Sequence, residues 1–101
     1  MNIQVMEEGE GTTLSLKGRL DFHSHQQLRR RVEELVTAGK SSLTVDLSEV
    51  SFIDSSALGV LLLARESCEK AGGNITLAHP QGYVDRVLKL CRFDELFRID
   101  R

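Results

Sequence analysis

The residues of this chain best suited to chemistry are Asp54, Ser55 and Ser56. They follow an apolar stretch and precede a run with apolar residues at helical spacing, which predicts that they lie where a helix begins. Asp and Ser are favoured there because their side-chain oxygens accept hydrogen bonds from the first unpaired backbone N–H groups. The positive end of a helix also attracts a phosphate. Two hydroxyls after an aspartate are more than a cap requires.

Two further aspartates follow or interrupt predicted strands. Asp21 follows the second strand, and Asp54 with Ser55 follows the third. Sites in open parallel sheets gather at the carboxyl ends of strands, so we expect these residues to share one edge. Taken alone, Asp21 is better explained as support for a turn. Asp46 lies within an alternating strand, and its carboxylate either faces solvent or lies near the site.

Other groupings of reactive residues are weaker. His23 and His25 lack a third ligand at a matching spacing and His79 stands alone, so the sequence predicts no metal site. The run Arg29–Arg31 spreads over different faces of a helix, which favours a solvated surface. The chain has no Walker-type loop and no G-x-S-x-G sequence. We therefore predict that it is not an enzyme.

Strands alternate with helices along the chain, after a hairpin-like start. The predicted strands centre on Ile3–Val5, Leu14–Leu16, Leu43–Leu47, Asn74–Ala78 and Ile99, and the predicted helices on Leu28–Val36, Ala57–Ala71 and Val84–Cys91. Ser24 and Gln27 have the spacing of a capping box for the first helix. The third strand is expected to leave the sheet at Ser48 and Glu49. This alternation predicts an α/β sheet with parallel pairing through right-handed crossovers.

The second predicted helix has more apolar residues than one buried face needs. Its core stripe consists of Ala57, Leu61, Ala64, Cys68 and Ala71. Leu62 and Leu63 fall off this stripe, on the outer side with Gly59 and Glu66. Two interpretations remain open: neighbouring helices cover these leucines, or they form an apolar docking patch next to Ser55.

Composition narrows the class of protein. A length of 101 residues, 41% hydrophobic and 28% charged, indicates one globular domain. A formal net charge of −2 and a pI near 5.9 argue against wholesale nucleic-acid binding. No apolar run is long enough for a bilayer, and no secretory pattern is present. Cys68 and Cys91 are interpreted as buried small hydrophobes in a reducing cytosol, so we expect a cytoplasmic protein.

One segment resembles a known motif. The stretch Ile53-Asp54-Ser55-Ser56-Ala57-Leu58-Gly59 is similar to the phosphorylation motif of anti-sigma factor antagonists of the STAS domain family. The resemblance extends over almost the whole chain, through Gly18-Arg19-Leu20-Asp21, Val45-Asp46-Leu47-Ser48, Ala71-Gly72-Gly73 and the segment from Arg86-Val87-Leu88 to Leu96-Phe97. Ala57 departs from the pattern, because the family usually has glycine after the serine pair.

The resemblance implies both a fold and a role. The fold would be a single STAS-like domain over residues 1–101, with a mixed, mostly parallel sheet and helices packed mainly on one face. Ser55 would be the phosphorylated residue and Ser56 a neighbour that contributes capping or local hydrogen bonds, with Asp21 and Asp54 adjacent. On the docking interpretation of the second helix, which comes from its helical spacing and not from the resemblance, Gly59, Leu62 and Leu63 would contact the partner.

The same resemblance implies the partners. They would be an anti-sigma factor that is a serine kinase and a PP2C-type phosphatase, and the output would be a freed sigma factor. The kinase would supply ATP and Mg²⁺, so this chain would need no cofactor of its own. From its charge and its apolar runs we expect neither a nucleic acid nor a membrane as a partner. Two alternatives use the same fold: a STAS subunit of a lipid or anion transport complex, and a module that senses a nucleotide or other small ligand.

Overall fold

Strands and helices alternate after an opening hairpin in the computed structural model, which describes residues 1–101. The elements in chain order are β1 (Asn2–Glu8), β2 (Gly11–Leu20), α1 (His25–Thr37), β3 (Ser42–Ile53), α2 (Ser55–Lys70), β4 (Asn74–Ala78), α3 (Gly82–Leu90), a 3₁₀ turn (Phe93–Glu95) and β5 (Arg98–Asp100). None of the three α-helices combines the length and the apolar character that a membrane-spanning helix requires.

The five strands form one mixed sheet in the order β1-β2-β3-β4-β5. β1 runs antiparallel to β2, and the three remaining pairs are parallel. Each crossover moves one strand further in the same direction, and right-handed crossovers of this kind place all three helices on the same face. The expected mixed, mostly parallel sheet with helices on one face is confirmed.

Alternation along the strands separates core from solvent. Leu14 and Leu16 of β2 are buried, as are Leu43, Val45 and Leu47 of β3, whereas the residues between them are less buried. The helices contribute Leu28, Val32, Ala57, Leu61, Ala64, Cys68, Val84 and Leu88 to the same core. Leucine, valine and alanine at these spacings therefore close the core between the sheet and a single layer of helices.

β3 is longer than the sequence predicts. The expected exit at Ser48 and Glu49 is wrong, because the strand continues to Ile53 and pairs with β2 as far as Leu20. Register shifts in the β2–β3 pairing break the simple alternation that would have shown this continuation. β4 pairs with β3 only as far as Asp46, so the last seven residues of β3 project about 23 Å beyond it.

The predicted capping box at the start of α1 is also wrong. The Ser24 hydroxyl makes no cap; it accepts from the Asp21 N–H at 3.0 Å and donates to the Arg19 carbonyl at 2.6 Å. The Gln27 amide instead donates to the Met1 carbonyl at 3.1 Å. The hydroxyl of the buried Ser24 instead satisfies two part-buried backbone groups of the preceding segment.

The two cysteines differ in burial. Cys68 lies in the core, and burial raises the pKa of its thiol. Cys91 is exposed, so its expected burial is wrong. α3 ends at Leu90, and Cys91 is the residue after the helix, where it no longer follows the buried stripe of Val84 and Leu88.

Candidate functional site

Asp54 joins two parts of the chain at the end of β3. It is the N-cap of α2 in an extended conformation, and its Oδ1 accepts from the Ala57 N–H at 3.0 Å. Its Oδ2 accepts from the Phe22 N–H, also at 3.0 Å, across 32 residues of sequence. The cap predicted for Asp54 is present, and its second oxygen holds the turn that follows β2 beside the start of α2.

Ser55 and Ser56 are the first two residues of α2. Ser55 is exposed, Ser56 is half-buried, and neither hydroxyl makes a hydrogen bond within the chain. The capping contribution expected of Ser56 is therefore wrong, because Asp54 already supplies the cap. The N–H groups of both serines belong to the first turn and have no intrahelical acceptor. Ser55 thus presents a free hydroxyl to solvent at the positive end of a 16-residue helix.

Asp21 lies in the turn that Asp54 holds. Its Oδ1 accepts from the His23 N–H at 3.0 Å, and its Oδ2 lies 3.4 Å from the Arg19 Nε. Desolvation raises the pKa of Asp21, but the bonds from His23 and Arg19 outweigh it, so the pKa is lowered overall. The structure brings Asp21 and Asp54 to the same edge, as expected, although Asp21 supports its own turn and makes no hydrogen bond to Ser55.

Asp46 lies far from this edge. It pairs with Ser15 and Ala78 in the middle of the sheet, and its carboxylate accepts from the Ser48 N–H at 2.9 Å. Seven residues of extended chain lie between it and Asp54, and the eight residue steps correspond to about 26 Å. Of the two possibilities left open for Asp46, proximity to the site is thereby excluded.

The outer face of α2 continues from Ser55. Gly59 is exposed, and a Cβ added there would meet nothing within 4 Å. Leu62 and Leu63 are 39% and 43% exposed, so the neighbouring helices do not cover them. Ser55, Gly59 and Leu62 follow the i, i+4, i+7 spacing of one helix face. We call Gly59, Leu62 and Leu63 the α2 outer strip.

Leu63 also borders a shallow groove between α1 and α2. The groove has a volume of about 150 Å³ and an apolar floor of Val32, Val60, Leu63 and Ala64. Its rim carries paired charges, Arg29 with Glu33 and Lys70 with Glu66. Apolar surface therefore extends sideways from the α2 outer strip.

Sequence reasoning missed the aromatic residues around this edge. Phe22 is 67% exposed in the turn after β2. Phe52 stacks on Tyr83 with ring centroids 5.5 Å apart, and the Arg19 guanidinium lies 4.1 Å from the Phe52 centroid. An aromatic residue in a polar turn, as at Phe22, was a signal in the sequence. The meeting of Phe52 and Tyr83 was not, because it depends on how α3 packs against the extension of β3.

The two histidines beside the site serve the turn. The Nδ1 of His25 lies 2.7 Å from the Phe22 carbonyl, which requires that this nitrogen carry the proton and donate. His23 contributes its backbone N–H to Asp21. No group of three or more His, Cys, Asp or Glu side chains is placed to hold a metal ion.

Comparison with known proteins identifies the family. A family model described as STAS domain matches residues 2–101. The chain therefore belongs to the STAS domain family, as the resemblance around Asp54 and Ser55 indicated.

The names of relatives within the family refer to more than one function. A STAS-domain containing protein of Pseudomonas aeruginosa (strain UCBPP-PA14) is 35% identical over 92 residues, which cover 91% of this chain and 90% of that protein. The intermembrane phospholipid transport system binding protein MlaB of Escherichia coli (strain K12) is 37% identical over 86 residues, covering 85% of this chain and 82% of that protein. Other relatives, of 27% and 29% identity, are named anti-sigma-B and anti-sigma F factor antagonists.

A solved structure has the same fold. The crystal structure of a Thermotoga maritima protein assigned as an anti-sigma factor antagonist superposes with a TM-score of 0.92 at 26% identity, covering 98% of this chain and 86% of that one. This agreement confirms the single α/β domain.

Proposed function

We propose that this protein is a cytoplasmic anti-sigma factor antagonist controlled by phosphorylation of Ser55. Unmodified, it binds an anti-sigma factor that is also a serine kinase, and so frees a sigma factor for transcription. The observation that carries the proposal is the exposed hydroxyl of Ser55, free of hydrogen bonds, directly after the capping Asp54. Relatives named anti-sigma factor antagonists support it.

The chain is a substrate in this cycle and not a catalyst. The kinase transfers the γ-phosphoryl group of ATP·Mg²⁺ to the Ser55 Oγ; the new O–P bond forms as the bond to ADP breaks, and the hydroxyl proton leaves to a base. A PP2C-type phosphatase then hydrolyses the phosphate ester with water, which returns serine and inorganic phosphate. Both enzymes bring their own catalytic groups, and this chain contributes an accessible hydroxyl.

The phosphate acts through local charge. It adds about −1.5 to −2 charges at neutral pH. At the start of α2 this charge meets the unpaired first-turn N–H groups, a favourable interaction of about 0.3–1 kcal/mol, and the nearby Asp54 carboxylate opposes it by a comparable amount. The fold therefore survives phosphorylation. A partner that closes over Ser55, however, must bury an unmatched dianion, which costs several kcal/mol.

The α2 outer strip is the surface that the partner contacts in this proposal. Glycine inside an exposed helix costs about 1 kcal/mol relative to alanine. The open space around Gly59 shows that packing within the chain does not require glycine there. Close approach of a partner backbone is a physical reason for its presence, and the exposed Leu62 and Leu63 supply apolar contacts one turn further along.

Phosphorylation of the purified chain tests the proposal. We expect incubation with the anti-sigma-type serine kinase of the same organism and ATP·Mg²⁺ to add one phosphate per chain, located on Ser55 by mass spectrometry. Ser55→Ala removes the acceptor and should abolish labelling while leaving a constitutive binder. Ser56→Ala is the matched control and should be labelled normally. A phosphate found on Ser56 would refute the assignment.

A second function has one specific observation in its favour. The MlaB relative is 37% identical and covers most of both chains, so this protein is alternatively a subunit of a phospholipid transport complex. In that role the same α2 surface docks permanently on a transport protein and Ser55 is not modified. Stable co-purification with a membrane transporter, together with no phosphate on Ser55, would favour this alternative.

A further inference from the structure

Phe22 is the most exposed aromatic side chain of the domain, with 67% of its surface accessible. It lies in the turn Asp21–Ser24, between β2 and α1. Its ring contacts the imidazoles of His23 and His25, with centroids 6.0 and 5.5 Å away. The ring thus caps the turn without entering the core.

The turn that carries Phe22 is held by a dense set of hydrogen bonds. The Asp21 carbonyl accepts from the N–H groups of Ser24 and His25 at 3.0 and 2.8 Å, and the Asp21 carboxylate accepts from His23. The Phe22 carbonyl accepts from the His25 ring at 2.7 Å. A rigidly presented ring loses little conformational entropy on binding, and aromatic anchors dominate the energy of many protein interfaces.

Asp54 ties this turn to the phosphorylation site. One carboxylate oxygen caps α2 through Ala57, and the other holds the Phe22 N–H. A serine or an asparagine offers one acceptor oxygen, whereas the Asp54 carboxylate places a separate oxygen at each of the two donors. Ser55 is the next residue, so a group attached to it lies beside this bridge.

We propose that Phe22 is a second contact for the protein partner that binds at Ser55, and that the Asp54 bridge makes this contact sensitive to phosphorylation. This inference rests on the proposed function. A dianion beside Asp54 repels its carboxylate and competes with it for the Phe22 N–H. Both effects weaken the bridge, so the phosphorylated chain holds Phe22 less firmly and in a different place. Phosphorylation then removes an aromatic anchor as well as adding a charge.

The link between Ser55 and Phe22 is testable without any kinase. Phosphoserine is incorporated at position 55 by genetic encoding, and amide resonances are compared with those of the unmodified chain. Outside residues 53–58, we expect the Phe22 amide to shift most and to exchange with solvent roughly tenfold faster or more, which is about 1.4 kcal/mol of lost protection. Asp54→Asn should move the same resonance in the unmodified chain. Ile75–Leu77 should not move, and an unmoved Phe22 amide would overturn the link.

The contact itself is tested by binding to the serine kinase that phosphorylates Ser55. Phe22→Ala should weaken this binding by at least roughly tenfold without lowering the thermal stability of the chain. Leu90→Ala is the control, since Leu90 is 83% exposed at the end of α3 and belongs to no part of the site. Unchanged affinity of the Phe22 variant would overturn the contact. A kinase that leaves Ser55 unmodified would instead count against the proposed function, while the encoded phosphoserine still reports on the bridge.

Discussion

At the scale of single residues, the polar side chains at two N-cap positions have different roles. Asp54 and Ser24 both occupy N-cap positions. Asp54 caps its helix, whereas the Ser24 hydroxyl is committed to the Arg19 carbonyl and the Asp21 N–H of the preceding turn. The difference follows from burial: Ser24 is only 6% exposed, and its hydroxyl satisfies two part-buried backbone groups of the preceding segment.

Ser24→Ala should therefore lower the free energy of unfolding by about 1–3 kcal/mol, because it leaves two part-buried backbone groups without their partner. Urea denaturation of the variant and the parent chain measures this loss. Ser48→Ala, at an exposed position, is the control and should change stability by less than about 0.5 kcal/mol. If Gln27 closed a capping box, Gln27→Ala would lower the free energy of unfolding by a comparable amount. The structure predicts only a small decrease, because Gln27 is exposed. A large loss in that variant would contradict the turn assignment.

At the scale of elements, the two faces of α2 have different roles. Its inner face of Ala57, Leu61, Ala64 and Cys68 completes the core, while the α2 outer strip stays in contact with solvent. The β2–β3 extension carries the start of this helix beyond β4, and there the turn after β2 meets it through Asp54. The free hydroxyl of Ser55 and the exposed strip are consequently continuous on one surface.

Leu63→Glu distinguishes the role of α2 in partner binding from its role in the core. We expect the variant to bind the proposed anti-sigma partner markedly more weakly, because a charge replaces apolar contact area. The stability change should be less than about 1 kcal/mol, because the position is 43% exposed. Leu90→Glu is the matched control for added charge and should bind normally. Gly59→Ala should raise the free energy of unfolding by up to about 1 kcal/mol and still weaken binding.

Leu61→Ala shows how much stability is lost when a core residue of α2 is truncated, and it is the reference for the stability of Leu63→Glu. Leu61 is fully buried, and its truncation should cost about 2–5 kcal/mol. If Leu63→Glu unfolds the domain to a similar extent, Leu63 belongs to the core and the docking role of the α2 outer strip is lost.

At the scale of the whole molecule, one charge network closes the domain at β5. The Arg101 guanidinium donates to Asp85 of α3 at 2.8 Å and to Asp94 of the 3₁₀ turn at 2.7 and 3.1 Å. Hydrogen bonds from Arg101 are the main cause that lowers the pKa of Asp85 and of Asp94. The network thus connects the last strand with two elements that precede it.

This network makes part of the free energy of unfolding depend on pH. A carboxyl with a lowered folded pKa stabilises the fold above its unfolded pKa, near 3.9, and this contribution disappears as pH falls through the lowered folded values. Arg101→Ala should return both pKa values toward normal, so it should reduce stability at pH 7 and have progressively less effect at an acidic pH below the unfolded pKa, near 3.9. Urea denaturation at both pH values measures the difference. An equal loss at the two pH values would mean that the side chain acts through packing and not through charge.

The sequence by itself determined much of this protein. Apolar alternation and helical spacing predicted the order of strands and helices, because local periodicity follows which face of an element is buried. Asp54 was predicted as a cap because capping depends on a few adjacent residues. The segment from Ile53 to Gly59 also identified the family, which comparison over residues 2–101 then confirmed.

Only the tertiary structure decided which residues meet across long separations. The bridge from Asp54 to Phe22, the exposure of Leu62 and Leu63, and the distance of Asp46 from the site all depend on how far β3 runs and what packs beside it. Register shifts in the β2–β3 pair interrupt the alternation of apolar and polar residues, so the length of β3 could not be predicted from that alternation. Contacts between residues 32 positions apart leave no local period, because they are set by the packing of whole elements and not by the spacing of neighbours.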